Sequence, residues 1–321
     1  MLEKIKELPK IELHFHLDGS VPISIIKELS GKTEEEITKE MVAPDKCENL
    51  SEYLTKFDLP LSYMQTKEDI LKISAAILKY LEEQNIIYAE IRFAPSFHTR
   101  GGLTKSEVIE TLIEGLNQSS KVKTNIIACL HRNVSMEDNF DTLNVVKDYI
   151  GKGVCALDLA GAEDMYPLQQ FLTLFEKANE LGIPYTIHAG ENGGPKEVEK
   201  AIQLGARRIG HGIHSIESEE TMKMIKDNNV LLEICPTSNV QTNSIDNYTD
   251  HPIKQFFEKN INVCINTDNT TISNITLNEE YMKLHDNFDF TLDDFKKMNE
   301  NAINAAFLST EEKAELIHQL I

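Results

Sequence analysis

Short apolar runs recur along the chain, and each ends in a polar or glycine-containing turn. They lie at 11–17, 86–95, 125–132, 154–161, 184–190, 208–212, 230–236 and 261–267, and are rich in Ile, Val and Leu. Near-continuous apolar runs suit parallel strands that are covered on both faces. Segments of helical period fall between them. At 67–85, Ile70, Ile73, Ile77, Leu78 and Leu81 make one apolar stripe. A capping-box pattern opens a helix at 104–117. The segment 168–181 stops at Gly182, and 195–204 begins with Pro195 and is followed by Gly205. Two more helices are expected at 217–228 and 252–260, with extra ones between the first two strands and beyond residue 276.

Eight repeats of strand then helix predict an α/β protein, a (β/α)8 TIM barrel with additional helices. An open doubly wound sheet is the competitor, but no GxGxxG follows the first run. No low-complexity linker divides the chain, so 1–321 is expected to be a single barrel domain.

Charge and cysteine content narrow the partners. A net charge of −20 would repel a phosphate backbone, so nucleic acid is an unfavourable partner. The glutamate clusters 34–36 and 311–312 read as solvated helix starts. Five cysteines occur without a CxxC pair, mostly inside apolar runs, as buried free thiols would. Neither a signal peptide nor a membrane span is evident, and a cytoplasmic location without a membrane partner is expected.

The chemistry gathers at the C-terminal ends of the runs, where barrels hold their active sites. His14 and His16 are two apart on the first strand and share a face. Alone they are as readily a hydrogen-bonded pair as a metal site. His188 and Asp268, from two other strand ends, favour the metal: three imidazoles and a carboxylate suit a catalytic zinc with room for water. Such an ion lowers the pKa of water from 15.7 to about 7, giving a nucleophile for an electron-poor ring carbon. Asp268 could take or orient the water's proton, and His211 could do the same or stabilise developing charge. Glu191, if held protonated, could donate to a ring nitrogen. His98 and His251 are assigned to loops or helix starts, and His285 and His318 to solvent-facing helix positions. His131 and His214 stand near strand ends with supporting roles left open.

An ordered set of segments, Glu12-Leu13-His14-Phe15-His16-Leu17-Asp18-Gly19, Asp158-Leu159-Ala160-Gly161, His188-Ala189-Gly190-Glu191, Gly210-His211-Gly212, Cys235-Pro236-Thr237-Ser238-Asn239 and Asn266-Thr267-Asp268, resembles the adenosine deaminase family of metal-dependent amidohydrolases. The resemblance spans nearly the whole chain. It implies one Zn2+ on His14, His16, His188 and Asp268, with Glu191 donating to purine N1, His211 positioning the nucleophile, and Asp268 doubling as base. It also implies a small purine nucleoside as substrate. Gly161 would offer its N–H to purine N3, Asp18 would bind the ribose 5′-hydroxyl, and His16 would lie near the sugar. Leu50, Tyr53, Leu54 and Phe57 resemble the family's apolar lid, although their spacing also fits an ordinary amphipathic helix. Well-known members carry a second Asp after the metal-binding one, where this chain has Asn269, whose amide can donate to N7 at any pH. Siblings acting on adenine or aminodeoxyfutalosine would share the chemistry. A non-catalytic nucleoside-binding protein is the alternative outside enzymes.

Overall fold

The computed structural model describes residues 1–119 and 121–320. Eight parallel strands form the centre: β1 (Lys10–His16), β2 (Ile86–Phe93), β3 (Lys123–His131), β4 (Val154–Ala160), β5 (Ile187–Ala189), β6 (Arg208–His211), β7 (Leu231–Ile234) and β8 (Asn262–Ile265). Each coincides with one of the apolar runs. They pair in sequence order as two four-stranded sheets, β1 to β4 and β5 to β8. Single bridges join the sheets, Leu157 with Tyr185 at one seam and Phe15 with Asp268 at the other. The second seam is tied by His16 N–H donating to Asp268 O at 2.8 Å and Asp268 N–H to His14 O at 3.0 Å. The ring is therefore a closed (β/α)8 barrel, with helices outside it.

The helix expectations hold with two differences. Pro195–Leu204 ends at Gly205, whose φ of 116° puts it in the left-handed region that glycine tolerates. The glutamate clusters do begin helices, and Thr33 forms a capping box with Glu36. The expected helix at 168–181 is instead a 3-10 turn, Leu168–Gln170, then a helix, Leu172–Glu180, because Phe171 leaves helical geometry at φ −116°. Met136–Val146 is a helix that the apolar pattern alone did not reveal. Its inward residues Asn139 and Thr142 are polar, which dilutes the stripe.

Barrel interiors are usually filled by branched apolar side chains. Here Glu90, Arg92, Asp158, Arg208 and Glu233 are buried on strands within the ring. All five cysteines are buried and unpaired, Cys47 outside the apolar runs included. Among the described residues, no helix is long and apolar enough to cross a membrane.

Candidate active site

Residues from seven strand ends, those of all strands but β7, line one cavity of about 430 Å3 at the C-terminal mouth. His16, Asp18, Gly161, His188, Glu191, His211, Asp268 and Asn269 face it, and Leu50, Tyr53, Leu54 and Phe57 cover it. His14 lies beneath, fully buried. The sequence thus named residues that the fold does bring together.

At the centre, His16 Nε2 is 3.4 Å from His188 Nε2 and 3.3 Å from Asp268 Oδ1, and His14 Nε2 is 3.5 Å from the same oxygen. Donors about 2.1 Å from a tetrahedral ion stand about 3.4 Å apart, so these edges match such a polyhedron. His14 Nε2 is buried with no hydrogen-bond partner, as a lone pair aimed at an ion would be. The far nitrogens explain the aim. His14 Nδ1 meets Glu233 Oε2 at 2.9 Å, and His188 Nδ1 meets Asp158 Oδ2 at 2.9 Å. A proton on each Nδ1 leaves each Nε2 as a lone pair. Cys235 also lies within reach of this cluster. Burial pushes its thiol well above the usual range.

Below the imidazoles is a closed set of charges. Arg92 reaches Asp158 at 2.9 Å and Glu233 at 2.7 Å, while Arg208 pairs with Glu90 and with Glu233 at 2.7 Å. Together with Asp268, four carboxylates face two guanidiniums. The surplus of two negative charges is what a divalent cation would neutralise. The sequence reading missed this layer, although a charge inside an apolar strand was its visible sign.

The loop after β5 is also built from below. Glu163 accepts from the backbone N–H groups of Gly190, Glu191, Asn192 and Gly193 at 2.7–3.2 Å. That clasp sets Glu191 over the cavity. Burial, and then the negative Asp268, raise the Glu191 carboxyl to about 8. Its Oε2 stands 3.7 Å from His211 Nε2. Asp268 has its second oxygen, Oδ2, accepting from Ser238 Oγ at 2.7 Å. Both His211 and Asp268 sit at positive φ, 61° and 62°, a strained conformation typical of functional positions.

At the cavity wall, Gly161 has φ 103°, and a Cβ there would come within 2.8 Å of the His131 ring. Burial lifts the Asp18 carboxyl to about 7, and its Oδ1 has no partner. A side chain at Gly19 would overlap Asn269 Oδ1 at 1.8 Å, so glycine is required there to seat the amide. His131 lines the cavity, whereas His214 pairs with Glu217 at 2.7 Å. His98 and His251 lie in or beside short turns between larger elements, and His285, expected to face solvent, does not do so fully. His98 and His251 are buried and hydrogen-bonded, and His285 is half-buried with Nδ1 on Phe290 O at 2.9 Å. Their partners lie far along the chain or in a following loop, which position along the chain does not disclose.

A closed parallel barrel with this donor set at its mouth has the form of a hydrolase with a candidate metal centre. The family model described as adenosine deaminase matches residues 9–321, and the chain belongs to that family. Adenosine deaminase from Enterococcus faecalis is 40% identical over 328 residues, covering 99% of this chain and 97% of the relative. Adenine deaminase from Arthrobacter aurescens has a similar structure, with a TM-score of 0.89, 25% identity, and 98% of each chain covered. An amidohydrolase from Burkholderia ambifaria, with bound Zn, superposes with a TM-score of 0.90 at 20% identity, over 99% of this chain and 91% of that one.

Proposed function

We propose that this chain hydrolyses the 6-amino group of adenosine and 2′-deoxyadenosine, releasing ammonia and leaving inosine or deoxyinosine. One observation carries the reading: three imidazoles and Asp268 converge on a point beside the buried acid Glu191, at the base of a cavity roofed by apolar side chains.

His14, His16, His188 and Asp268 would hold one divalent ion, zinc in this reading. When bound, it would make water a competent nucleophile near neutral pH and neutralise charge on oxygen. Glu191, protonated at neutral pH, donates to purine N1 and drains electrons from C6. Asp268 uses Oδ1 toward the imidazoles and keeps Oδ2, steadied by Ser238, to accept the proton of the attacking water. His211 lies on the same side and orients that water. The Gly161 N–H meets N3, Asp18 the 5′-hydroxyl, and the Asn269 amide N7. His16 borders the sugar. Leu50, Tyr53, Leu54 and Phe57 enclose the purine and exclude bulk water.

The substrate is a small free nucleoside; the net charge of −20 disfavours nucleic acid and anionic membrane surfaces. The whole chain acts as one catalytic unit, and its five unpaired thiols suit the reducing cytoplasm. Relatives called adenosine deaminase reach 40% identity, against 25% for the adenine deaminase, which favours the nucleoside over the free base.

The test is the decay of adenosine's ultraviolet band on mixing with purified protein, with and without a chelator. Adenosine turnover that the chelator abolishes is expected. Fast turnover of adenine or aminodeoxyfutalosine, with neither nucleoside consumed, would refute the substrate assignment. Glu191→Gln should keep its ion and lose roughly 10²–10⁴ in kcat. Near-normal turnover in that variant would remove Glu191 as the acid.

A further inference from the structure

We infer that Asn239 and His251 are positioning residues that fix His211 as the Nε2–H tautomer, a hydrogen-bond donor into the site. The polarity of the chain of contacts starts from a group that can only donate. Ile253 N–H, at the first turn of the helix Ile253–Glu258, donates to His251 Nδ1 at 3.1 Å. His251 Nδ1 is therefore a lone pair, and the proton of the neutral ring is on Nε2. Nε2 lies 3.2 Å from Asn239 Oδ1, which accepts it. The Asn239 amide then turns its NH2 toward His211 Nδ1 at 3.0 Å. Flipping the amide would set an N–H of Asn239 against the N–H of His251, so the geometry admits one orientation. His211 Nδ1 is thus an acceptor, and its proton must lie on Nε2, which faces Glu191 Oε2 at 3.7 Å and Asp268 Oδ2 at 4.0 Å.

Burial makes the assignment firm. His211, Asn239 and His251 are each no more than 2% exposed, so water does not compete for these positions. Asn239 is itself anchored, its N–H donating to Cys235 O and its C=O accepting from Ser244 N–H and Ile245 N–H. The consequence for catalysis rests on the deaminase reading. A nitrogen that already carries a proton does not take one from water, so Asp268 Oδ2 is left as acceptor and His211 orients by donating.

The experiment is a two-bond 1H–15N correlation spectrum of histidine-labelled protein, with His211 assigned by its loss in His211→Gln. Wild type should show His211 as Nε2–H. Asn239→Asp offers only acceptors, so His211 should move its proton to Nδ1 or carry two. Its kcat should fall roughly 10–100-fold, as for other groups that orient a functional imidazole, with KM changed far less. An Nδ1–H signal in wild type, or an unchanged tautomer and kcat in a folded Asn239→Asp protein, would overturn the proposal. The wild-type spectrum decides the tautomer even if the variant does not fold. An Nε2–H signal without adenosine turnover would sink the deaminase reading alone. Full turnover with an Nδ1–H signal would sink this one alone.

Discussion

The floor and the roof of the cavity are made in opposite ways. The floor is ionic and fully buried: Arg92, Arg208, Asp158, Glu233 and Glu90 interlock beneath the imidazoles and come from β2, β4, β6 and β7. The roof is apolar and local, with Leu50, Tyr53, Leu54 and Phe57 carried on the helix Leu50–Leu54 and the 3-10 turn Thr55–Phe57. A floor of mutually compensated charges cannot shift one member without stranding another, so it holds the donors at fixed spacing. A roof of dispersion contacts on short elements can shift at small cost and still exclude water. Geometry is therefore assigned to the strands and, in the proposed function, selection of the ring to the cover.

The strongest way to break this contrast is Glu233→Leu. It leaves Arg92 and Arg208 facing an apolar group and removes the acceptor of His14. Chemical denaturation should show a loss of about 3–5 kcal/mol, with loss of ion binding. A stable variant with normal ion content would show that the floor is not what sets the donors. On the other side, Phe57→Ala should raise KM for adenosine up to about tenfold, equivalent to ~1.4 kcal/mol of lost contact, with the ion retained. Loss of the ion from that variant would erase the distinction. The smallest effect concerns the anchor of the roof, where His98 Nδ1 meets Met64 O at 3.1 Å. Burial pushes the His98 pKa down to about 4 from an ordinary 6.5. The unfolded chain takes the proton first, so this contribution is present above about pH 6.5 and is lost as pH falls toward 4. His98→Asn keeps a donor that does not titrate. Its Tm should fall less than that of wild type across this window, by a few degrees. Parallel curves would remove His98 as a pH lever.

The same division explains what could be read from the chain. The strands were legible because runs such as 154–161 and 261–267 are apolar on both faces. Several of the runs end in a polar group, such as His16, His188 and Asp268, whose side of the barrel is fixed by strand direction. The roof was legible only through the family resemblance, since the spacing of Leu50, Tyr53, Leu54 and Phe57 fits an ordinary amphipathic helix as well; all four line the cavity. The floor was not, although Glu90 and Arg92 are two apart and so point to one side of β2. Partners across the ring, such as Arg208 and Glu90, are set by barrel radius and register rather than by local period. Glu163, Asn239 and His251 were missed for a related reason: each acts through a loop or helix end that abuts the site only after closure. Met136–Val146 did carry a signal, since Ser135 accepts from Asp138 N–H as a cap, but its polar inward face hid it.

The bridge between Phe15 and Asp268 has a consequence for the order of events during synthesis. The ribosome releases His14, His16 and His188 well before Asp268 emerges. Until then the nascent polypeptide displays imidazoles without their carboxylate, and its first strand has a bare edge. The hydrogen bonds that seal that edge also deliver the missing oxygen. If these residues hold an ion as proposed, its full ligand set and the completed circle arrive in a single late event, and a prematurely truncated chain would be left with neither.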